Sequence, residues 1–227
     1  MGAIAAEPRN GPVPVEVFMD YHCPYSHRVI CWLDDLGPDL AEVRFRFFAL
    51  EQVNRDPDAS AWRIWEQPLD YEHYQERPDR RALAAFLATA AVEAAFPADP
   101  GVSRRFRRAV YAARFEGHLD ISDLAVLDDA GVAAGLPGGW IAAALADATL
   151  TSEGRSRIAA DWASARSPYL VFGVPTLLLA DGAPVYLRLT APIPPADGPA
   201  FLAAFLAFRR AAPGVLEFKQ PEPSGPS

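Results

Sequence analysis

The chain has 227 residues, of which 51% are hydrophobic and 22% charged, as is usual for a globular protein. Its 29 acidic residues outnumber 21 basic ones, and the resulting net charge of −8 disfavours binding to nucleic acid or to an anionic membrane surface. Two cysteines, Cys23 and Cys31, are too few for a disulfide scaffold, and with four histidines at these spacings they match no zinc-binding pattern. Neither a secretory signal nor an apolar run of membrane-spanning length is recognisable, so we expect a cytoplasmic protein.

The first third of the sequence predicts a β-α-β unit. Residues 13–21 form a β-rich run, and residues 24–36 have a helical pattern that stops at Gly37-Pro38. Residues 43–47 alternate between apolar side chains and arginine, which indicates a half-buried strand. A crossover of this kind normally joins two parallel strands.

The middle of the chain, residues 54–166, shows no convincing strand. Apolar residues recur at helical spacing in residues 80–96 and 102–115. Ser122 and Asp123 are candidate N-caps for a further helix, and two more helices are predicted before residue 166. The sequence therefore predicts an all-helical block inserted into an α/β domain.

The last third returns to strands and ends in a helix. Residues 169–179 are largely apolar, and Asp181-Gly182 is a hairpin signal before a partner strand at residues 185–189. Residues 200–210 predict a closing helix. The polar, Pro- and Gly-bearing ends, residues 1–10 and 213–227, are predicted to be flexible.

Cys23 carries the strongest functional signal. It lies where the first predicted strand gives way to a helix, so its sulfur would face unpaired backbone N–H groups and the positive helix end. Such a position predicts a lowered thiol pKa and a nucleophilic thiolate, and Pro24 suits the first helical position. A small buried hydrophobe near a turn is the alternative interpretation.

The sequence resembles the DsbA-like branch of the thioredoxin superfamily, which includes FrnE-like proteins and hydroxychromene-carboxylate isomerases. The resemblance rests on Cys23-Pro24-Tyr25-Ser26 after the first strand, the helical insertion, and Gly173-Val174-Pro175-Thr176 before a later strand. Two segments of the helical block, residues 115–117 and 120–123, add to it. It implies a discontinuous thioredoxin-like domain of residues 11–53 and 167–212, with an insertion domain of residues 54–166.

The resemblance also implies roles for the matched residues. Cys23 would be the attacking thiolate and Pro175 a cis-proline opposite it. Val174 would present backbone groups to an extended substrate. Pro24, Tyr25 and Thr176 complete the predicted substrate-binding set.

Ser26 departs from the dithiol pattern, because dithiol members carry a second cysteine there. A serine hydroxyl can donate a hydrogen bond to the Cys23 thiolate but cannot form a disulfide. Cys31 cannot replace the missing cysteine, since eight helical residues rise about 12 Å and a disulfide needs Cα atoms within about 7 Å. We therefore predict a single working thiol and interpret Cys31 as a core residue.

Three functions stay open at this point. The first is thiol-disulfide exchange at Cys23, with an external thiol such as glutathione completing the cycle. The second is a glutathione-dependent isomerase or transferase, and the third is a non-catalytic binding module with the same fold. The expected partners are a small thiol or disulfide, or a protein disulfide, with no tightly bound cofactor or metal and with a homodimer left open.

Two histidines flank the motif. His22 precedes Cys23 and His27 follows Ser26. A cationic imidazole would stabilise a nearby thiolate, and either ring could transfer a proton. We include His22 in the predicted catalytic set, with an exposed histidine of no catalytic role as the alternative.

Overall fold

A four-stranded mixed sheet forms the centre of the protein. The computed structural model describes residues 11–180 and 182–215. The strand order is β2-β1-β3-β4, with β1 parallel to β2 and the other neighbours antiparallel. The strands are β1 (Val13–Met19), β2 (Ala41–Phe47), β3 (Thr176–Leu178) and β4 (Pro184–Tyr186). The predicted β-α-β unit and mixed sheet are therefore confirmed.

Eight helices accompany the sheet within the described part of the chain. Five of them, α3 to α7, form the predicted helical insertion between β2 and β3. The helices are α1 (Pro24–Leu36), α2 (Leu50–Arg55), α3 (Leu83–Ala95), α4 (Pro100–Phe115), α5 (Leu124–Ala133), α6 (Trp140–Ala146), α7 (Ala148–Arg166) and α8 (Gly198–Ala211). None of these helices is long and apolar enough to cross a membrane.

Local sequence signals explain where α1 begins and ends. Cys23 caps its N-terminus, and Pro24 occupies a position whose N–H would have no helical partner. The helix ends at Gly37, where a φ of 73° favours glycine. Between these ends Val29, Ile30 and other apolar residues are buried, so α1 is held by its apolar face.

The register of the sheet places the Cys23 loop. Met19 at the end of β1 pairs with Phe47 at the end of β2, so the carboxyl ends of both parallel strands coincide. On the other side of β1, Phe18 pairs with Thr176, which brings the start of β3 to the same edge. Ligand sites of parallel sheets commonly lie at such an edge.

The insertion packs directly against the sheet. Phe86 of α3 lies with its ring 4.8 Å from that of Phe47 and 6.1 Å from that of Tyr21. On α7, the buried Asp161 accepts a hydrogen bond of 3.0 Å from the Phe47 backbone N–H. The sheet and the helical insertion therefore share one hydrophobic core.

The end of the sheet differs from the prediction in length. Strand β4 ends at Tyr186, whereas the sequence pattern predicted a strand to residue 189. One further bond, from Leu187 N–H to Pro175 O at 3.1 Å, continues the pairing, and then the Arg188 side chain turns to Tyr25. The predicted turn residue Asp181 and most of the predicted flexible ends lie outside the described residues.

Candidate active site

Cys23 lies between the first turn of α1 and the segment before β3. As the N-cap residue, it accepts a hydrogen bond at its sulfur from the Ser26 backbone N–H at 3.4 Å. Its thiol donates to the Val174 carbonyl oxygen at 3.2 Å. The residue is only 4% exposed, and these two hydrogen bonds hold its sulfur between α1 and the segment before β3.

The segment facing Cys23 has an ordered backbone. The Val174–Pro175 peptide bond is cis, and both residues are buried. The Thr176 hydroxyl donates to Gly173 O at 2.7 Å, which closes the turn before β3. Because β1 and β3 are neighbours, this turn is brought next to the loop that carries Cys23. The two motifs that the sequence singled out, 150 residues apart, therefore meet in space.

The surroundings of Cys23 are apolar, and this overturns one prediction. Phe18, Phe48, Trp162 and Val174 belong to the buried cluster that contains Cys23. Burial raises the pKa of the Cys23 thiol, and the hydrogen bonds from Ser26 oppose the rise without reversing it. The predicted lowering of the pKa is therefore wrong for the resting protein, because tertiary packing removes the sulfur from water.

Ser26 occupies the predicted position beside the sulfur. It is fully buried, and hydrogen bonds from both its backbone N–H and its hydroxyl lower the pKa of Cys23. Its hydroxyl oxygen also lies 3.5 Å from the Asp20 backbone N–H. Ser26 is thus placed to stabilise a thiolate formed at Cys23.

The ring of His22 is not a cation beside the thiolate. Arg114 donates from Nε to His22 Nδ1 at 3.1 Å, so that nitrogen carries no proton, and Nε2 lies 3.3 Å from Arg81 O. Burial lowers the pKa of His22, with Asp20 opposing this. The prediction of an imidazolium that stabilises Cys23 is therefore wrong, because an arginine from α4 donates a hydrogen bond to Nδ1 and the ring is neutral.

His27 packs rather than facing the sulfur. Its ring stacks against those of Tyr111 and Phe115, each at a centroid distance of 5.1 Å. Burial lowers the pKa of His27. These contacts favour a packing role for His27.

Cys31 is a free thiol within α1, the unbroken helix that Cys23 caps, as the single-thiol prediction requires. It is half-buried rather than a core residue, which corrects the interpretation from sequence. Arg108 hydrogen-bonds its backbone oxygen at 3.2 Å and pairs with Asp35 at 2.8 Å. The partial exposure arises because α1 turns this position toward α4 and the surface.

Tyr25 and Pro24 lie on the outer side of the motif. Pro24 is exposed, and the Tyr25 hydroxyl accepts a hydrogen bond from Arg188. The guanidinium of Arg188 lies 4.1 Å from the Tyr25 ring centroid, and that of Arg28 lies 5.6 Å away. Sequence reasoning missed Arg188, since no local pattern joins residues 163 positions apart.

Exposed apolar side chains flank the Val174–Pro175 segment. Leu170 is 75% exposed and Phe172 is 71% exposed. The Phe172 ring makes an edge contact with that of Tyr186, with centroids 5.0 Å apart. We refer to these three residues, Leu170, Phe172 and Tyr186, as the apolar ridge. The sequence contained no signal for it, because apolar residues before a strand are normally buried.

Comparisons with known proteins settle the fold. Neither protein-family models nor curated protein sequences match the chain, whereas 69 solved chains match it in structure. The cytosolic disulfide reductase DsbM from Pseudomonas aeruginosa is 18% identical, with a TM-score of 0.56 over 86% of this chain and 99% of that one. The chain has a DsbA-like thioredoxin fold.

Two further structures with this DsbA-like fold match the chain with similar sequence identity, coverage and TM-score. DsbM with GSH is 17% identical, with a TM-score of 0.54 over 86% of this chain and 99% of that one. The thiol-disulfide oxidoreductase MdbA from Corynebacterium diphtheriae is 13% identical, with a TM-score of 0.56 over 88% of this chain and 86% of that one. The predicted DsbA-like fold with its helical insertion is confirmed.

Proposed function

We propose that the protein is a thiol-disulfide oxidoreductase that works through Cys23 alone, with an external low-molecular-weight thiol such as glutathione as the resolving partner. The placement of Cys23 Sγ carries this proposal: it caps α1, lies 3.2 Å from Val174 O beside Pro175, and has Ser26 hydrogen-bonded to it. A buried thiol that accepts a backbone N–H bond is poised to become a nucleophile once its proton leaves.

The proposed reaction has three exchange steps. The Cys23 thiolate attacks one sulfur of a substrate disulfide, forms a mixed disulfide and expels the other substrate sulfur, which takes a proton. One external thiol then attacks Cys23 Sγ and displaces the second substrate thiol. A second external thiol regenerates Cys23 and leaves with the first as an oxidised dimer. One substrate disulfide is thus reduced and two external thiols are oxidised.

The need for an external thiol follows from Ser26. Neither Ser26 nor the distant Cys31 can form a disulfide with Cys23, so the mixed disulfide must be resolved by another molecule. The shared fold with DsbM, one structure of which contains GSH, supports glutathione in that role. A reducing compartment such as the cytoplasm keeps thiols reduced, and we propose that location.

The apolar ridge favours a polypeptide disulfide as the substrate. Leu170 and Phe172 expose apolar surface beside Val174 and Pro175, and such surface binds apolar side chains better than a small polar disulfide. Tyr25, with Arg188 over its ring, lines the other side of the motif. We propose that a chain segment around the substrate cysteine lies across these residues.

The decisive experiment measures glutathione-dependent reduction of a peptide disulfide. We expect Cys23→Ser to lose all turnover above the uncatalysed rate and Cys31→Ser, the matched control, to keep the wild-type rate. Turnover that survives Cys23→Ser, or that fails in the wild type, would contradict the proposal.

Glutathione binding to the Cys23→Ser variant separates the rival enzyme class. Thiol-disulfide exchange predicts a glutathione adduct only on proteins that contain Cys23. Saturable, noncovalent glutathione binding that is unchanged in Cys23→Ser, together with absent disulfide reduction, would favour an isomerase or transferase.

A further inference from the structure

A cavity lies at the same sheet edge, on the Asp20 and His22 side of the loop that carries Cys23. It has a volume of about 310 Å³ and is formed by the loop after β1, by α2 and by residues 73–80. Neither Cys23, Val174 nor Pro175 contributes to its wall. The lining residues are Asp20, His22, Leu50, Glu51, Asn54, His73, Tyr74, Gln75, Arg77 and Arg80.

Glu51 presents an unused acceptor to this cavity. Its side chain is only 3% exposed, and its Oε1 has no hydrogen-bond partner among the residues that the structure describes. The other oxygen, Oε2, accepts from the Tyr71 hydroxyl. His73 Nε2 lies 3.8 Å from Oε1, too far for a hydrogen bond. A buried carboxylate oxygen without a donor is costly, so the site favours a ligand that supplies one.

The other polar groups deep in the cavity are already engaged. The two carboxylate oxygens of Asp20 accept from the backbone N–H groups of His22 and Leu50, at 2.6 and 2.7 Å. His73 Nδ1 accepts from Gln75 N–H at 3.2 Å. Glu51 is therefore the lining carboxylate with capacity left for a ligand.

Arg80 supplies a loosely held positive charge among the lining residues. Its Nε lies 3.7 Å from Asp79 Oδ2, while both Asp79 oxygens accept hydrogen bonds of 2.9 Å from Arg77. Asp79 thus pairs mainly with Arg77. Arg80, whose side chain is 39% exposed, keeps donors for an incoming anion.

We propose that this cavity binds a compact zwitterion, with its ammonium group on Glu51 Oε1 and its carboxylate on Arg80. A small α-amino acid carries both groups on one carbon atom and fits within about 310 Å³. The amides of Asn54 and Gln75 offer hydrogen bonds to a polar side chain. The site is independent of the proposed redox function, although Leu50 contacts both the cavity and the Cys23 cluster.

The pH dependence of binding distinguishes a zwitterion from a simple anion. Burial raises the pKa of Glu51 to about 7; Asp20 adds to the rise, and Tyr71, Arg55 and Arg81 oppose it. His73, whose own pKa is lowered, also faces it. An ammonium group binds the ionised carboxylate, so affinity rises as pH increases through 7. An anion alone would bind better below pH 7, where Glu51 is neutral.

Calorimetric titration with L-glutamine tests the site, with acetate and ethylamine as the two half-ligands. We expect saturable binding of L-glutamine that is stronger at pH 8 than at pH 6, and much weaker binding of each half-ligand. Glu51→Gln and Arg80→Gln should each weaken binding by roughly tenfold. Arg63→Gln, which removes an exposed arginine outside the cavity, should not.

Three controls keep the result decisive. Thermal unfolding shows that each variant is folded, and the exposed position of Arg80 makes loss of folding there unexpected. Cys23→Ser should bind L-glutamine like the wild type, whatever its redox activity. The proposal would be overturned by absent L-glutamine binding, by wild-type affinity in both Glu51→Gln and Arg80→Gln, or by tighter binding of acetate than of L-glutamine at low pH.

Discussion

Two opposing influences act on the Cys23 thiol at the scale of single residues. Burial in the Phe18, Phe48 and Trp162 cluster disfavours the thiolate, while Ser26 donates hydrogen bonds that favour it. Burial dominates, so the resting thiol is protonated at neutral pH and donates to Val174 O. A substrate that displaces this bond would free the sulfur for attack.

The pH profile of alkylation tests the protonated resting state. In a Cys31→Ser background, we expect the rate with iodoacetamide to rise with a midpoint above the ordinary thiol value of about 8.5, because burial raises the pKa of Cys23. The reaction is followed by intact mass from pH 6 to 10. A midpoint near 7 or below would show that the helix end outweighs burial.

Replacing Ser26 with alanine tests its hydrogen bond to the sulfur. Loss of the hydroxyl should raise the pKa of Cys23 further, because a hydrogen bond to the sulfur stabilises the charged thiolate more than the neutral thiol. The same alkylation profile measures it. Ser156→Ala, which changes an exposed serine on α7, is the control and should leave the profile unchanged. A Ser26→Ala profile identical to the control would contradict the assigned role.

At the scale of elements, a buried ion pair fixes α1 against the insertion. Arg107 of α4 lies 2.9 Å from Asp34 of α1, with side chains only 6% and 4% exposed. The Arg107 guanidinium also lies 3.6 Å from the ring centroid of Phe45 on β2. Glu93 of α3 also lies 3.3 Å from Arg107, so four elements meet at this guanidinium, and the pair adds to the apolar contacts that position α1.

Asp34→Ala tests this contact. The change removes the closest of two carboxylate partners of Arg107 and leaves Glu93 at 3.3 Å, so we expect it to lower the free energy of unfolding by about 1.5–3 kcal/mol. Urea denaturation measures the loss. The matched control is Glu66→Ala, which breaks the exposed 3.1 Å pair with Arg63 and should cost less than about 1 kcal/mol. Equal, small losses of unfolding free energy in the two variants would contradict a stabilising role for the Asp34–Arg107 pair.

The elements were far more predictable than the chemistry around them. Apolar periodicity located α1 and β2 because each buries one face, and Asp123 caps α5 by accepting from Ala125 N–H as its sequence position indicated. The direction of the Cys23 pKa shift was missed, since it depends on burial in a cluster that includes Trp162 and Val174. These contacts come from segments more than 130 residues away, and no local pattern encodes them.

The state of His22 was missed for the same reason. Its partner Arg114 comes from α4, 92 positions away, and only the packed insertion brings the two together. The Glu51 cavity likewise joins α2 to a connecting segment whose sequence has no strong periodicity. Local structure follows from local pattern, whereas the charges of a site follow from tertiary contacts.

At the scale of the whole molecule, the sheet and the insertion are predicted to unfold together. One core contains Val17 of β1, Phe86 of α3 and Ile158 of α7, so neither part keeps its apolar surface buried without the other. Far-UV circular dichroism and tryptophan fluorescence should therefore give coincident urea transitions. Two separated transitions would show that residues 54–166 form an independent folding unit.

We propose that Cys23 is the one redox sulfur of the molecule. Intact-mass analysis after incubation with oxidised glutathione tests it most directly, with the wild type, Cys23→Ser and Cys31→Ser compared side by side. We expect one glutathione adduct on the wild type and on Cys31→Ser, removed by excess reduced glutathione, and none on Cys23→Ser. An adduct on Cys23→Ser, or no adduct on Cys31→Ser, would contradict it.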